Sequence, residues 1–77
     1  MKKECVKFNV GFRLAVRGIR TFDQAARRIG IKKAYLSQIL SCTVRPARHQ
    51  LALAKLCGCK PAELFGEHVH PDLKETA

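Results

Sequence analysis

Seventy-seven residues with a formal net charge of +9 make one small basic domain, near the size at which a single core is only marginally stable. Such a chain leaves little room for a large catalytic cleft, and no run approaches the roughly 20 apolar residues that span a bilayer. The charge is uneven, with fourteen Lys and Arg against Glu4 and Asp23 in residues 1–60, and Lys74 against Glu63, Glu67, Asp72 and Glu75 in residues 61–77. A basic body with a mildly acidic end points to a polyanionic partner, nucleic acid first and an anionic membrane surface a distant second.

The chain opens with MKKECVKF, charged but followed by no apolar core or small-residue cleavage site of a signal peptide. An intracellular, cytoplasmic protein is therefore expected, and its four cysteines read as buried or half-buried thiols rather than a disulfide framework. With three prolines and little β-type alternation, the chain reads as mostly helical. A first helix is expected from about Asn9 to Arg17. Its face is open between Val10, Leu14 and Arg17 on one side and Phe12, Ala15 and Ile19 on the other, and Gly11 and Gly18 weaken it.

The second helix is clearer. Thr21 followed by Gln24 is a capping-box signature, the hydroxyl serving an orphan amide while the glutamine reaches back to the cap. Phe22, Ala25, Ala26 and Ile29 recur on one face, Arg27 and Arg28 lie off it, and Gly30 stops the helix. A third helix follows from Lys32 or Lys33 to Ser41, burying Leu36, Ile39 and Leu40, with Ile31 filling the corner before it. Lys33, Ala34, Ser37, Gln38 and Ser41 fall mostly on the opposite side. Pro46 opens a fourth helix, which uses Leu51, Ala54 and either Leu53 or Leu56 inward and ends at Gly58. Pro61 starts a short fifth helix anchored by Leu64 and Phe65 and closed by Gly66. The remaining residues, EHVHPDLKETA, lack the apolar density to stay ordered alone.

Two short helices joined by about three residues around a glycine form a helix-turn-helix unit. Here Ala26 permits a close helix crossing, Gly30 makes the turn, and Ile31, Leu36 and Ile39 lock the second helix onto the first. AARRIGIKKAYLSQIL resembles the helix-turn-helix of the lambda-repressor-like, Cro/C1-type DNA-binding domains, and ALAKLCGCKPAELFG resembles the fourth and fifth helices of that family. Together the two stretches cover roughly residues 21–66. The resemblance implies a compact all-α five-helix bundle, here assigned to residues 1–66, and the sparse apolar content of residues 67–77 makes them a flexible tail by expectation. The resemblance also implies sequence-specific binding to duplex DNA, frequent homodimerisation at two-fold symmetric operators, and regulation, usually repression, of phage or bacterial transcription. The chain departs from the family pattern at Phe22, where a glutamine often stands, at Lys32, commonly Ser or Thr, and at Cys57 and Cys59.

The family match places Lys32, Lys33, Ala34, Ser37 and Gln38 at the base edges. Gln38 suits adenine, Lys33 guanine, Ala34 a thymine methyl, and Ser37 either kind of edge. Phosphate contacts are expected from Gln24, Arg28, Ser41, Arg45 and Arg48. Tyr35 either stands on phosphate through its hydroxyl or packs over the loop between the third and fourth helices. A cation such as Arg48 near a helix start is locally unfavourable, a cost that a bound phosphate reverses. For a dimer, the apolar residues in and beyond the last helix, Phe65, Val69 and Leu73, are the expected contact surface. The plainer alternative is that Leu64 and Phe65 close the monomer core.

Other chemistry has little support. Cys57-x-Cys59 and His68-x-His70 leave a single residue in each gap, whereas zinc pairs usually have wider spacings, so no metal is expected. A thioredoxin-like CxxC, a partner for His49 in hydrolysis, and phosphate-loop or dinucleotide fingerprints are all missing. No enzyme, cofactor or small-molecule ligand is therefore expected. Two non-catalytic alternatives remain: a small RNA-binding protein, although one Tyr and no Trp offer few stacking platforms, and a helical interaction module such as an antitoxin.

Overall fold

The computed structural model describes residues 3–73, with side chains from Cys5 onward. Five α-helices follow one another: α1 Lys3–Val16, α2 Phe22–Ile29, α3 Lys33–Leu40, α4 Ala47–Cys57 and α5 Pro61–Phe65. Two 3₁₀ turns, Gly66–His68 and Pro71–Leu73, close the described chain. No strand occurs among the described residues, and the all-helical class expected from the sequence holds.

The first helix begins about two turns earlier than its sequence suggests. Val6, Val10 and Leu14, spaced by four, point inward and are 0–1% exposed, packing where α1 meets α3, α4 and α5. A second apolar ladder, Phe8, Phe12 and Val16, runs along the outside of the same helix. Two ladders two residues apart blur the amphipathic signal, and this hides the helix start. Gly11 explains itself by close approach, because a Cβ there would lie 3.3 Å from the Phe22 ring. Asn9 ties α1 to the far end of the chain, donating to the Glu63 carbonyl at 2.8 Å and accepting from Arg13 Nε at 3.0 Å.

Each of the first four helices ends in the same pair of backbone bonds. At α2, Ile31 N–H donates to Ala26 O at 3.0 Å and Gly30 N–H to Arg27 O at 3.3 Å, the Schellman pattern that needs a left-handed residue. Gly30 supplies it with φ +77°. At α3 the equivalent bonds run from Thr43 to Gln38 and from Cys42 to Ile39, so the left-handed position falls on Cys42, φ +63°. A β-carbon at such a φ costs on the order of 1–2 kcal/mol; Cys42 nonetheless keeps its side chain in the core, 6% exposed.

Four expectations are corrected. α4 turns Gln50, Leu53, Ala54 and Cys57 inward, while Leu51 and Leu56 are half-buried. Cys5 is exposed, unlike the other three thiols. The segment after Gly66 is not a loose tail through its described part: Val69 and Leu73 are 2% and 7% exposed and belong to the core. Phe65 is fully buried as well, so Phe65, Val69 and Leu73 face inside the monomer and cannot serve as a surface for a second copy. The segment is held by a buried amide. Gln50, 1% exposed, accepts from the His70 N–H at 2.7 Å and donates to the His68 carbonyl at 3.2 Å. One side chain thus satisfies the two backbone groups that irregular chain would otherwise bury unpaired. Residues 74–77 of the expected tail lie outside the described residues.

Candidate nucleic-acid interface

The corner between α2 and α3 positions the surface of interest. Ala25 and Ala26 are buried where α2 packs on α3 and α4, and Leu36, Ile39 and Leu40 bury the inner face of α3. Ile31 and Phe22 are half-buried against this core. Thr21 caps α2 by accepting from Gln24 N–H at 3.1 Å. The glutamine's return bond goes to the Arg20 amide at 3.0 Å rather than to the cap residue itself, so the box is one residue wider than its sequence signature suggests.

With three apolar residues of α3 turned inward, its other face is left to solvent. Lys32, Lys33, Ala34, Ser37 and Gln38 are all exposed, and they share that outer face and its N-terminal approach. Lys32 is the N-cap and makes no side-chain capping bond, leaving first-turn amides of α3 without a side-chain acceptor. α4 begins the same way, since its N-cap, Pro46, has no side-chain acceptor and its first turn holds Arg48 and no acid. No carboxylate occurs between Asp23 and Glu63 in the sequence. Asp23 itself is engaged by Arg27 at 3.2 Å. Each of these two helix starts carries positive partial charge with lysine or arginine and no acid in its first turn, a setting that favours anions.

The residues expected to meet phosphate are less alike. Gln24 and Arg28 line one shallow groove with Arg27 and Gly18. Arg48 is exposed at the start of α4. Arg45 is exposed in the preceding loop, and its guanidinium stands 3.3 Å from His68 Nδ1, which links it to the closing segment. Ser41 spends its hydroxyl locally, donating to the Gln38 carbonyl at 3.1 Å and lying 2.8 Å from Thr43 Oγ1. Tyr35 is half-buried with its ring edge-on to His49, centroids 5.4 Å apart. The ring thus packs against α4 at His49, a helix contact and not the loop contact expected for it.

The four residues with ligand chemistry near the chain end do not converge. Among the described residues no group of three or more His, Cys, Asp or Glu is placed to hold a metal ion. Cys57 and Cys59 lie near Arg13, whereas His70 turns to its neighbour Asp72, Nδ1 accepting from the Asp72 N–H at 3.1 Å. Burial, with Cys59 close by, pushes the Cys57 thiol up to about 11 despite Arg13 and Arg17. Burial likewise raises the Cys59 thiol. Both remain protonated near neutral pH, the state that is neither a good nucleophile nor a ready metal ligand.

The sequence reading overlooked Gln50, whose amide looks like one more surface residue on α4. It also overlooked the outward ladder of α1, although the four-residue spacing of Phe8, Phe12 and Val16 is visible once α1 is extended. No helix among the described residues is long and apolar enough to cross a membrane. Comparison with protein-family models, with curated proteins and with solved structures gives no match to this chain.

Proposed function

We propose that the protein is a sequence-specific duplex-DNA-binding regulator of the lambda-repressor-like, Cro/C1 type, acting as a dimeric repressor at a two-fold symmetric site. The observation that carries the proposal is the outer face of α3, where Lys32, Lys33, Ala34, Ser37 and Gln38 are all exposed and the first turn holds no acid. In this function α2 and α3 are the helix-turn-helix and α3 enters the major groove. Gln38 pairs with an adenine edge, Lys33 with guanine, and Ala34 packs on a thymine methyl. Gln24, Arg28, Arg45 and Arg48 fix the register on phosphate without reading sequence. The bare amide ends of α3 and α4 add to that attraction. Tyr35 contributes by holding α3 against α4, and Ser41 by closing the end of α3. Such a protein works in the cytoplasm on bacterial or phage DNA.

Selection of bound sites from a randomised duplex pool, followed by salt titration, tests the proposal. Gln38→Ala should relax base preference at one or two positions. Arg48→Ala should weaken all duplexes about equally and lower the salt slope by roughly one unit. Equal or tighter binding to single-stranded RNA would favour an RNA-binding protein instead. Absence of binding to any nucleic acid would leave a protein-interaction module such as an antitoxin.

A further inference from the structure

Among the described residues, the exposed large hydrophobic side chains, Phe8, Phe12 and Val16, all lie on the outer side of α1. A surface helix normally turns charge to solvent. Here Cys5, Phe8, Phe12, Ala15 and Val16 are all exposed and carry no charge among them. Phe8, Phe12 and Val16 are 80%, 72% and 73% exposed, and Phe8, Phe12 and the half-buried Phe22 border a common hollow with Gly11 and Lys7. The inner side of the same helix already supplies Val6, Val10 and Leu14 to the core. α1 is therefore apolar on both sides, the pattern of a helix that is buried all round.

We infer that the outer face of α1 is the surface through which two copies of this chain pair, helix against antiparallel helix across a two-fold axis. The inference rests on the dimeric regulator proposed above and names the surface that Phe65, Val69 and Leu73 cannot provide. Two features favour a second copy as the occupant. First, the ladder is self-complementary. Its three members recur about 6 Å apart along the helix, so an antiparallel copy centred on Phe12 sets Phe12 on its own symmetry mate. Each Phe8 then falls opposite the partner copy's smaller valine from position 16, giving the reciprocal contacts an isologous interface requires, with large side chains against small. Secondly, the area fits. Two rings and a valine offer about 400 Å² per copy; with Cys5, Ala15 and adjoining stems the pair buries on the order of 1,000 Å², the lower end of specific interfaces. Such an area suits a dimer that is weak in free solution and completed on a two-half-site duplex.

Sedimentation without DNA tests the pairing independently of any nucleic-acid binding. The wild type should shift toward dimer as concentration rises through the micromolar range. Phe12→Glu, which sets two carboxylates face to face on the axis, should stay monomeric with an unchanged helical spectrum. In a Cys5→Ser background, Phe12→Cys treated with oxidised glutathione should form a disulfide dimer at least about tenfold faster than Lys55→Cys, because pairing raises the local thiol concentration toward millimolar. A wild type that stays monomeric, with both cysteine variants crosslinking equally slowly, overturns the inference. So does pelleting with anionic lipid vesicles that Phe12→Glu abolishes, which would assign the face to a membrane surface. Dimerisation through Phe12 without any duplex binding would sustain the surface and remove the DNA function alone.

Discussion

The α2–α3 corner and the closing segment after Gly66 solve the same problem with opposite means. Both must fold irregular backbone against a core. At the corner, the Gly30 turn directs its backbone donors back into α2, and the fully buried residues of α2 and α3 are all alanine, leucine or isoleucine. In the closing segment no helix is long enough to absorb the backbone, so Gln50 reaches in and satisfies the His68 carbonyl and His70 amide itself. The corner depends on conformation and the closure on one polar contact. A corner of that kind leaves its outer surface free for polar side chains, whereas the closure consumes its polar group internally. The contrast explains why one region leaves an exposed polar face and the other does not.

The largest loss of stability is expected at the closure. Ending the chain after Gly66 removes Val69, Leu73 and both partners of Gln50, a loss of about 4 kcal/mol or more. That approaches the whole stability of a small domain, and circular dichroism of the truncated chain should show it largely unfolded. Next in size is Gln50→Leu, which keeps the volume but strands two backbone groups. It should cost about 2–3 kcal/mol and lower Tm by roughly 10–20 °C, with accelerated hydrogen exchange at the His70 amide. Retained protection there would show that the segment closes without the amide.

At the corner, Gly30→Val should cost about 2 kcal/mol and Gly30→Ala about half of that. No atom lies within 4 Å of a Cβ at that position, so the penalty arises from backbone conformation alone. Equal melting temperatures for Val, Ala and wild type would remove the left-handed turn from the account. The smallest effect is expected at the matching end of α3. Cys42→Gly relieves a similar conformational cost but gives up a buried sulfur, and thermal melts should move by no more than about 1 kcal/mol in either direction.

These two regions also show what the sequence could disclose. The corner was legible because its signals are local: Thr21 before Phe22, glycine at position 30, and the inward set Leu36, Ile39 and Leu40. The exposed set on α3 followed from that periodicity by subtraction. Cys42 occupies the same backbone conformation as Gly30 without the residue type that announces it, so the end of α3 was placed by pattern and not by its cap. Gln50 and Asn9 were invisible for a different reason. Their partners lie eighteen to fifty-five residues away, and nothing in a polar side chain's neighbours tells whether it faces water or a distant carbonyl. The face of α1 was open because two apolar ladders compete, and only tertiary packing decides which one turns inward.

The link from Asn9 to the Glu63 carbonyl has a consequence during protein synthesis. A core whose first helix is fastened to its fifth, and which among the described residues reaches as far as Leu73, should gain little stability from any partial version. Helices α1 to α4 emerge from the ribosome one by one, each too short to persist alone, and wait as fluctuating segments for residues still being translated. The domain should therefore acquire its structure in a single late step, once residue 73 is free of the ribosome, and a nascent chain stalled earlier should be open to proteases along the part that has emerged.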